Sequence, residues 1–325
     1  MIGPTAAAPA RYAPASSGHA TAGDGSARDF GRFGMIGRVV GSVLVVLGCV
    51  VLASCGYDLA APEPPTVLPT TAPASPDPGP EGVPLERAAA AFFGPTLTVR
   101  DRGSFGLADR AYVLPSDDPR FREILRVLFP AGSASRKASR EDGTPEGGAQ
   151  LYLPFADGPA DAVRLTYHVR FPDGFAFVKG GKLPGLFGGT RTSGGRIPDG
   201  SDGLSTRYMW RRAGAGEVYA YLPTSHDHGT SLGRGAWTYP TGRWIRLEQD
   251  VRLNTPGKAD GSITVRLDGR QVFRADALTF RTTGDLRIDG VFFSTFFGGD
   301  DASWSSPSDQ HIDFAGFETA PVGGS

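Results

Sequence analysis

The stretch "LSTRYMWRRAGAGEVYAYLP", residues 204–223, decides the fold because its pattern is that of a β-hairpin. Two segments of alternating side chains flank Ala213 and Gly214, and small residues of this kind mark a turn between strands. If the turn is centred on Ala213, Arg207 lies opposite Tyr219 on the neighbouring strand. A register shifted by one residue would send the tyrosine to the opposite face of the sheet.

This register gives the hairpin two faces of different chemistry. Side chains alternate across a strand, so one face carries four polar groups and the other, with Tyr208 and Trp210, makes an acceptable core surface. The four polar residues are Ser205, Arg207, Tyr219 and Tyr221. A hydroxyl, a guanidinium and two phenols suit a sugar acid, because arginine binds its carboxylate and aromatic rings cover the sugar ring.

Strand patterns recur from about Gln150 to the C-terminus. They include "VRLTYHVRF" (163–171), "WIRLEQDVRLN" (244–254) and "ITVRLDGRQVF" (263–273), the last with an Asp-Gly turn. The 46 glycines and 27 prolines also favour many turns. We therefore predict an all-β fold, a jelly-roll β-sandwich of antiparallel sheets with one or two short helices before the main sheet.

The clearest helix signal precedes these strands, in "SDDPRFREILRVLFP", residues 116–130. Ser116 has the chemistry of an N-cap, and Pro130 ends the segment. Phe121, Ile124 and Leu128 recur at helical spacing. The spacing predicts a helix over this range.

The N-terminal quarter of the chain has the composition of a targeting region. Residues 35–54 are expected to be a lipoprotein signal peptide: a basic residue precedes an apolar run, and the end, Leu52-Ala53-Ser54-Cys55, resembles a bacterial lipobox. Lipidation of Cys55 would anchor the protein to the bacterial cell membrane on its extracytoplasmic side. An ordinary signal peptide with an incidental cysteine is the alternative.

The flanking segments complete the predicted domain organisation. Residues 1–34 are expected to be disordered or an over-extended gene model, with translation starting at Met35. Residues 55–90 are rich in proline and are predicted to be an extended linker. Residues 91–321 are predicted to form the globular domain.

Charge and cysteine content exclude several classes of function. A net charge of −1 gives no general field for binding nucleic acid. Both cysteines, Cys49 and Cys55, lie near the N-terminus, so the globular part has no disulfide or thiolate metal site. Lys182 is followed by Leu183, whereas a phosphate loop needs serine or threonine there for magnesium. We expect a monomer with no cofactor and no metal.

One segment of this near-neutral chain, residues 179–212, is strongly basic. Only Asp199 and Asp202 oppose its cations. The cations are Lys179, Lys182, Arg191, Arg196, Arg207, Arg211 and Arg212. A solvated face of mixed charge is the simplest interpretation, but together with the polar face of the hairpin the segment indicates an acidic polysaccharide as partner.

Five motifs in this order resemble polysaccharide lyase family 14 and, more loosely, the related glucuronan lyases. They are "FVKGGKLPGLFGG", "DGLSTRYMWR", "VYAYLP", "LDGRQV" and "FFSTFFGGDDASW", and they span about Ala162 to Phe317. The resemblance implies a β-jelly-roll that cleaves 4-linked polyuronates such as alginate or glucuronan. It does not extend to the region before Ala162.

The resemblance also implies catalytic positions. The family's cleft lysine matches Lys182, its serine and arginine match Ser205 and Arg207, and its tyrosine pair matches Tyr219 and Tyr221. A lyase must neutralise the uronate carboxylate, for which Arg207 and Ser205 are the candidates. The resemblance implies lysine as base and a tyrosine as acid, whereas the residues alone leave that order open. Nearby cations are expected to lower the pKa of both the lysine and the tyrosines.

Further residues are assigned to substrate binding without a motif to define their roles. They are Lys179, Arg191, Trp210, His226 and His228. The histidines flank Asp227 in a loop that fits a substrate-facing or plain surface position better than a metal site. Asp300, Asp301 and Trp304 fit a cleft rim and a structural turn equally well.

Two other classes of function compete with a lyase. A glycoside hydrolase on such a sandwich would need paired carboxylates on strands, and the chain has no run of that kind. A non-catalytic cell-surface lipoprotein that binds acidic polysaccharide would use Arg207 and the aromatic residues, but would not require Lys182 together with both tyrosines. This class is kept as the alternative function.

Overall fold

The computed structural model describes residues 82–323. The predictions for residues 1–34, for the signal peptide and for Cys55, and most of the predicted linker, lie outside the described residues. Among residues 82–323, no helix has both the length and the apolar character needed to cross a membrane.

Two antiparallel sheets pack face to face, which confirms the predicted all-β jelly-roll sandwich. The back sheet contains, in spatial order, β1 (Val83–Pro84), β3 (Ala111–Pro115), β4 (Glu123–Phe129), β16 (Gln310–Pro321), β6 (Ala162–Arg170), β12 (Trp244–Arg252), β13 (Gly261–Leu267) and β14 (Arg270–Leu278). The front sheet contains β11 (Thr230–Leu232), β10 (Gly216–Tyr221), β9 (Gly203–Arg211), β8 (Gly185–Gly189), β15 (Gly290–Thr295), β5 (Ala149–Pro154) and β2 (Arg100–Phe105). A further strand, β7 (Gly180–Leu183), pairs with β9.

The space between the sheets is filled by one large cluster of apolar and aromatic side chains. Tyr167 of the back sheet and Tyr208 of the front sheet meet edge to face, with 6.3 Å between ring centroids. Phe293 and Phe314 make a similar contact at 5.2 Å. Such aromatic pairs fix the two sheets against each other, and the front sheet is thereby held as a rigid platform for its outer face.

The predicted hairpin is formed by β9 and β10 in the predicted register. Arg207 pairs with Tyr219, and Ser205 pairs with Tyr221. Ala213 lies at the turn with φ +53°, a left-handed conformation that is uncommon for a non-glycine residue and marks a sharp reversal of the chain. The turn therefore sets the face to which the polar side chains point.

The predicted helix over residues 116–130 is wrong, because this range contains a turn followed by β4. The Ser116 hydroxyl accepts a hydrogen bond from the backbone N–H of Asp118 and so closes that turn instead of capping a helix. The strand is buried on both sides: Leu125 lies in the main core and Ile124 packs in a second cluster with Trp244. Burial on both faces gave an apolar pattern that mimics helical spacing.

Two short helices do precede the main strands, although at other positions. Helix α1 (Leu85–Phe93) buries Leu85 and Phe93 in the core, and α2 (Arg136–Asp142) lies between β4 and β5. Because α1 is part of the core, the domain begins before residue 91 and the predicted linker boundary at residue 90 lies too far along the chain.

Candidate active site

A cleft of about 600 Å³ lies on the outer face of the front sheet. Its floor is built by side chains of β7, β9 and β10, and its walls by α2 and the loops at residues 193–195 and 298–304. Lys182, Arg207, Tyr219 and Tyr221 all line it. The structure thus brings four of the five predicted catalytic side chains into one cavity.

The glycines before Lys182 allow β7 to reach the cleft floor. A Cβ atom at Gly181 would lie 2.1 Å from the ring of Trp210 and 2.5 Å from the carbonyl oxygen of Phe296. Only glycine permits this approach, so the strand pairs with β9 and places Lys182 opposite Met209. The segment is therefore a packed strand at the cleft edge, and not a phosphate loop.

The environment of the Lys182 side chain favours the neutral amine, which can accept a proton. Its Nζ donates to Met209 Sδ at 2.8 Å and lies 4.0 Å from the ring centroid of Tyr219. Burial, followed by the positive charges of Arg207 and Arg211, holds the pKa of Lys182 well below its ordinary value of 10.5. The side chain therefore becomes a neutral amine at a much lower pH than a lysine in water.

Tyr219 has the opposite protonation preference. Burial is the largest cause that raises the pKa of Tyr219 to about 12, and it outweighs the lowering by Arg207 and Arg211. The expectation that neighbouring cations would lower the tyrosine pKa is therefore wrong for Tyr219. Its Oη accepts a hydrogen bond from the backbone N–H of Gly229 at 3.1 Å, which leaves the phenolic proton free to be donated.

Arg207 is a buried cation that has no carboxylate partner. Its side chain is 2% exposed, lies over the Phe292 ring at 4.6 Å, and donates to Ser294 Oγ at 3.2 Å. Its Nε has no hydrogen-bond partner, and no acidic group among residues 82–323 lies within salt-bridge distance. A buried, unpaired guanidinium at a cleft floor is a site for an anion supplied from outside.

The remaining two predicted catalytic residues differ in position. Tyr221 lines the cleft, and its Oη accepts a hydrogen bond from the N–H of Gly195 at 3.1 Å. Ser205 is fully buried below the cleft and donates to the carbonyl of Thr192 at 2.7 Å. The prediction that Ser205 helps to neutralise the substrate carboxylate is therefore wrong, because its hydroxyl proton is already donated to the 192–195 loop.

The five residues assigned to substrate binding are dispersed. His228 lines the cleft, and Lys179 lies beside it, 5.8 Å from the ring of Trp304. His226 is exposed outside the lining, and Arg191 forms an ion pair with Asp202 at 2.7 Å away from the cavity.

Trp210 is the residue of this set whose assignment is wrong. Its ring is fully buried between the sheets, and its Nε1 donates to the carbonyl of Phe177 at 3.1 Å. Alternation along β9 places it on the face opposite Arg207, so the same pattern that found the catalytic face also excludes Trp210 from it.

Several cleft residues were not assigned to the site by the sequence analysis, although Arg211 was named in the basic segment. Arg211 and Met209 follow Arg207 at two-residue steps on β9, so strand alternation could have identified them. Gln150 on β5 accepts a hydrogen bond from Ser294 Oγ at 3.2 Å, which extends the contacts of Arg207. No local signal points to Gln150, because its place depends on which strands pair across the sheet.

The acidic rim residues and the histidine loop meet at the entrance to the cleft. Asp300, Asp301 and Trp304 all line the cavity, and His228 Nε2 lies 3.3 Å from Asp300 Oδ2. Across residues 82–323, no group of three or more His, Cys, Asp or Glu side chains is arranged to hold a metal ion.

The comparisons with known proteins agree with this geometry. The family model Polysaccharide lyase 14 matches residues 118–317, so the likeness begins well before Ala162, where the motif resemblance began. The marine PL-14 alginate lyase from Aplysia kurodai is 33% identical, with a TM-score of 0.61 over 71% of this chain and 92% of that chain. No curated protein sequence matches the chain.

Two further solved structures show the same fold at lower identity. Alginate lyase vAL-1 from Chlorella virus is 22% identical, with a TM-score of 0.59 over 70% of this chain and 93% of that chain. A doubly substituted alginate lyase Aly36B in complex with an alginate tetrasaccharide is also 22% identical, with a TM-score of 0.61 over 74% of this chain and 92% of that chain.

Proposed function

The chain belongs to polysaccharide lyase family 14, and from this premise we propose that it cleaves a 4-linked polyuronate, alginate or glucuronan, by β-elimination. One observation carries the proposal. A lysine whose pKa is lowered, a tyrosine whose pKa is raised and an arginine without a counter-charge line one cleft. A base, an acid and a carboxylate site are the three groups that this reaction requires.

Binding begins with the uronate carboxylate at Arg207. The carboxylate supplies the negative charge that the guanidinium lacks, and the burial of Arg207 strengthens the attraction. In the transition state, charge from the C5–H bond moves into this carboxylate. A fixed cation next to it stabilises that charge, which makes the C5 proton more acidic.

Proton transfer then divides between the two remaining groups. The neutral Lys182 amine accepts the C5 proton, the C5–H electrons form the C4=C5 double bond, and the C4–O bond breaks. Tyr219 donates its phenolic proton to the departing oxygen. Proton exchange with water afterwards restores the neutral amine and the neutral phenol. The opposite pKa shifts support lysine as base and tyrosine as acid, an order that the sequence alone left open.

The test is to incubate the full chain with alginate, with glucuronan and with a carboxyl-reduced form of each. The conjugated double bond of a lyase product absorbs in the ultraviolet, so absorbance reports the reaction directly. We expect product from at least one polyuronate and none from the reduced polymers. Binding without an unsaturated product would instead identify a non-catalytic polysaccharide-binding protein, and turnover of a reduced polymer would contradict the role of Arg207.

For the N-terminal region we propose an anchored lipoprotein that acts as a monomer outside the bacterial cell membrane. The support is the order of basic residue, apolar run and Cys55 in the sequence, followed by the proline-rich linker. Cys55→Ala should move the protein out of the membrane fraction. Unchanged membrane association without an acyl mass on the protein would contradict this proposal.

A further inference from the structure

Helix α2 forms a basic wall of the cleft. Arg136, Lys137 and Arg140 all line the cavity that contains Lys182 and Arg207. All three are exposed to solvent. Arg140 comes four residues after Arg136 and three after Lys137, spacings that place side chains on one side of a helix, so the three side chains form a single group facing the cavity. We call these three residues the α2 basic wall.

The wall is fixed to the rest of the site at both ends of the helix. Ser135 Oγ donates to the carbonyl of Gly299 at 2.8 Å, and Asp142 Oδ2 accepts from the N–H of Ala302 at 2.9 Å. Between them Ala138 is fully buried. The helix is therefore held against the 298–304 loop, and its cations are positioned before any ligand arrives.

The charges of the wall are only loosely paired within the protein. Arg136 Nε lies 3.6 Å from Glu146 Oε1, and Lys137 Nζ lies 3.9 Å from Asp300 Oδ2 and 3.8 Å from Glu141 Oε2, distances too long for hydrogen bonds. Arg140 has no acidic partner among residues 82–323.

Cations also predominate around the cavity as a whole. Among the described residues that line it, the only acidic side chains are those of Asp300 and Asp301. The first contacts His228 and Lys137, and the second accepts a hydrogen bond from the N–H of Ser303 at 2.8 Å. A chain with a net charge of −1 thus concentrates positive charge in one cavity.

We propose that the α2 basic wall is a second carboxylate-binding subsite, which takes a uronate unit other than the one held by Arg207. The inference rests on the proposed function, since a polyuronate carries a carboxylate on every sugar. A chain that fills the cleft therefore presents further carboxylates to its walls. A neutral polysaccharide would gain nothing there, so the wall contributes to selection of a polyanion and favours chains over single sugars.

The test measures binding of the full chain to a polyuronate, in a Lys182→Ala background so that the polymer stays intact. Arg140→Ala and the triple change of Arg136, Lys137 and Arg140 to alanine are compared with Arg122→Ala. Arg122 is an exposed arginine immediately before β4, with no ion pair among the described residues. Alanine has the highest helix propensity, so α2 should remain folded, and circular dichroism checks this.

Arg140→Ala should weaken binding about threefold to fivefold, as expected for one exposed charge pair, and the triple change about tenfold or more. Arg140→Lys should retain most of the affinity. The difference from Arg122→Ala should shrink near 1 M salt, where screening acts over about 3 Å. The difference in affinity between the wall variants and Arg122→Ala should also vanish when the ligand is a single uronate sugar. Unchanged affinity in the triple variant would overturn the subsite.

The proposed function fails separately, in the activity assay. If the unsubstituted chain forms no unsaturated product but loses affinity when the wall is changed, the subsite stands and the lyase proposal falls. If no polyuronate binds at all, both are contradicted. In the active chain the wall variants should raise KM more than they lower kcat, since the wall contacts a sugar remote from the reacting bond.

Discussion

Arg207 of the front sheet differs from those arginines of the back sheet that are paired with carboxylates. On the back sheet Arg126 and Arg170 share Asp313, at 2.8 and 3.0 Å, and this carboxylate is 1% exposed. Arg164 and Arg266 share Asp250 in the same manner. On the front sheet Arg211 also pairs with a buried carboxylate, Glu217, but Arg207, which is only 2% exposed, has no carboxylate partner among residues 82–323.

The difference shows where the protein accepts a cost in stability. A buried cation without a partner has lost its water and gained no counter-charge, which is unfavourable for folding. Shared carboxylates remove that cost on the back sheet. At Arg207 the cost in folding free energy remains, and a polyuronate is the natural source of the missing negative charge. The comparison therefore separates arginines that hold the fold from an arginine that binds the reacting group.

The largest expected effect is on Arg207. Arg207→Met should lower kcat/KM by about 10² to 10³, as for the loss of one transition-state charge stabiliser. Its unfolding midpoint should stay the same or rise, because a buried unpaired charge is replaced by an apolar side chain of similar length. Steady-state kinetics and thermal unfolding measure the two. A large fall in stability would mean that Arg207 belongs with the structural arginines.

Asp313 should give the reverse result. Asp313→Asn leaves Arg126 and Arg170 without their shared carboxylate and should destabilise the fold by about 3 kcal/mol. Activity per folded molecule should be retained, since Asp313 lies on the other sheet. Denaturant unfolding measures the stability. The rate is divided by the concentration of folded protein, determined independently of activity, to give the activity per folded molecule. An unchanged unfolding midpoint would remove the contrast between Arg207 and the paired arginines of the back sheet.

Lys182→Ala and Tyr219→Phe should each lower kcat by about 10² or more while the protein stays folded. The double variant should lose far less than the product of the two, because base and acid act in the same elimination. Lys258→Ala, at an exposed lysine outside the cleft lining, is the matched comparison for the lysine change. A folded Lys182→Ala protein with a near-normal rate would overturn the site assignment.

The smallest expected effect is a displacement of the pH profile. The pH dependence of kcat/KM should rise as Lys182 loses its proton and fall only near pH 12, where Tyr219 ionises. Arg211→Gln removes a positive charge that lowers the pKa of Lys182, so the rising limb should move to higher pH.

Arg234→Gln provides the control for that displacement, because Arg211 and Arg234 bind the same buried carboxylate, Glu217. Loss of Arg234 disturbs Glu217 but removes no cation from the cleft lining. It should move the rising limb less than Arg211→Gln does. If the rising limb moved equally in both variants, the disturbance of Glu217, and not the lost charge of Arg211, would be the cause of the shift.

The parts of the site that follow from local pattern were predictable. A small turn residue at Ala213 fixed the hairpin register, and alternation then placed Arg207 and Tyr219 on one face. The same rule should have excluded Trp210 from the cleft and included Arg211. These outcomes depend only on the period of a strand.

The parts that depend on burial or on distant pairing were not predictable. The β4 segment looked helical because it is apolar on both sides, which only its neighbours β3 and β16 explain. Ser205 could not be known to bind Thr192 before the loop was placed. The raised pKa of Tyr219 could not be predicted from the sequence either. Nearby cations lower this pKa and burial raises it, and only the structure shows that burial is the larger cause.

The central claim is that Lys182 is a neutral amine held ready to accept a proton, and its titration tests this most directly. The chain has four lysines, so selective ¹³C labelling of lysine gives few signals, and Lys182→Met assigns the one in the cleft. We predict that the Lys182 signal titrates with a pKa well below 10.5, and that a bound polyuronate raises this pKa by bringing negative charge into the cleft. A signal that titrates at 10.5 or above in the folded protein would contradict the account.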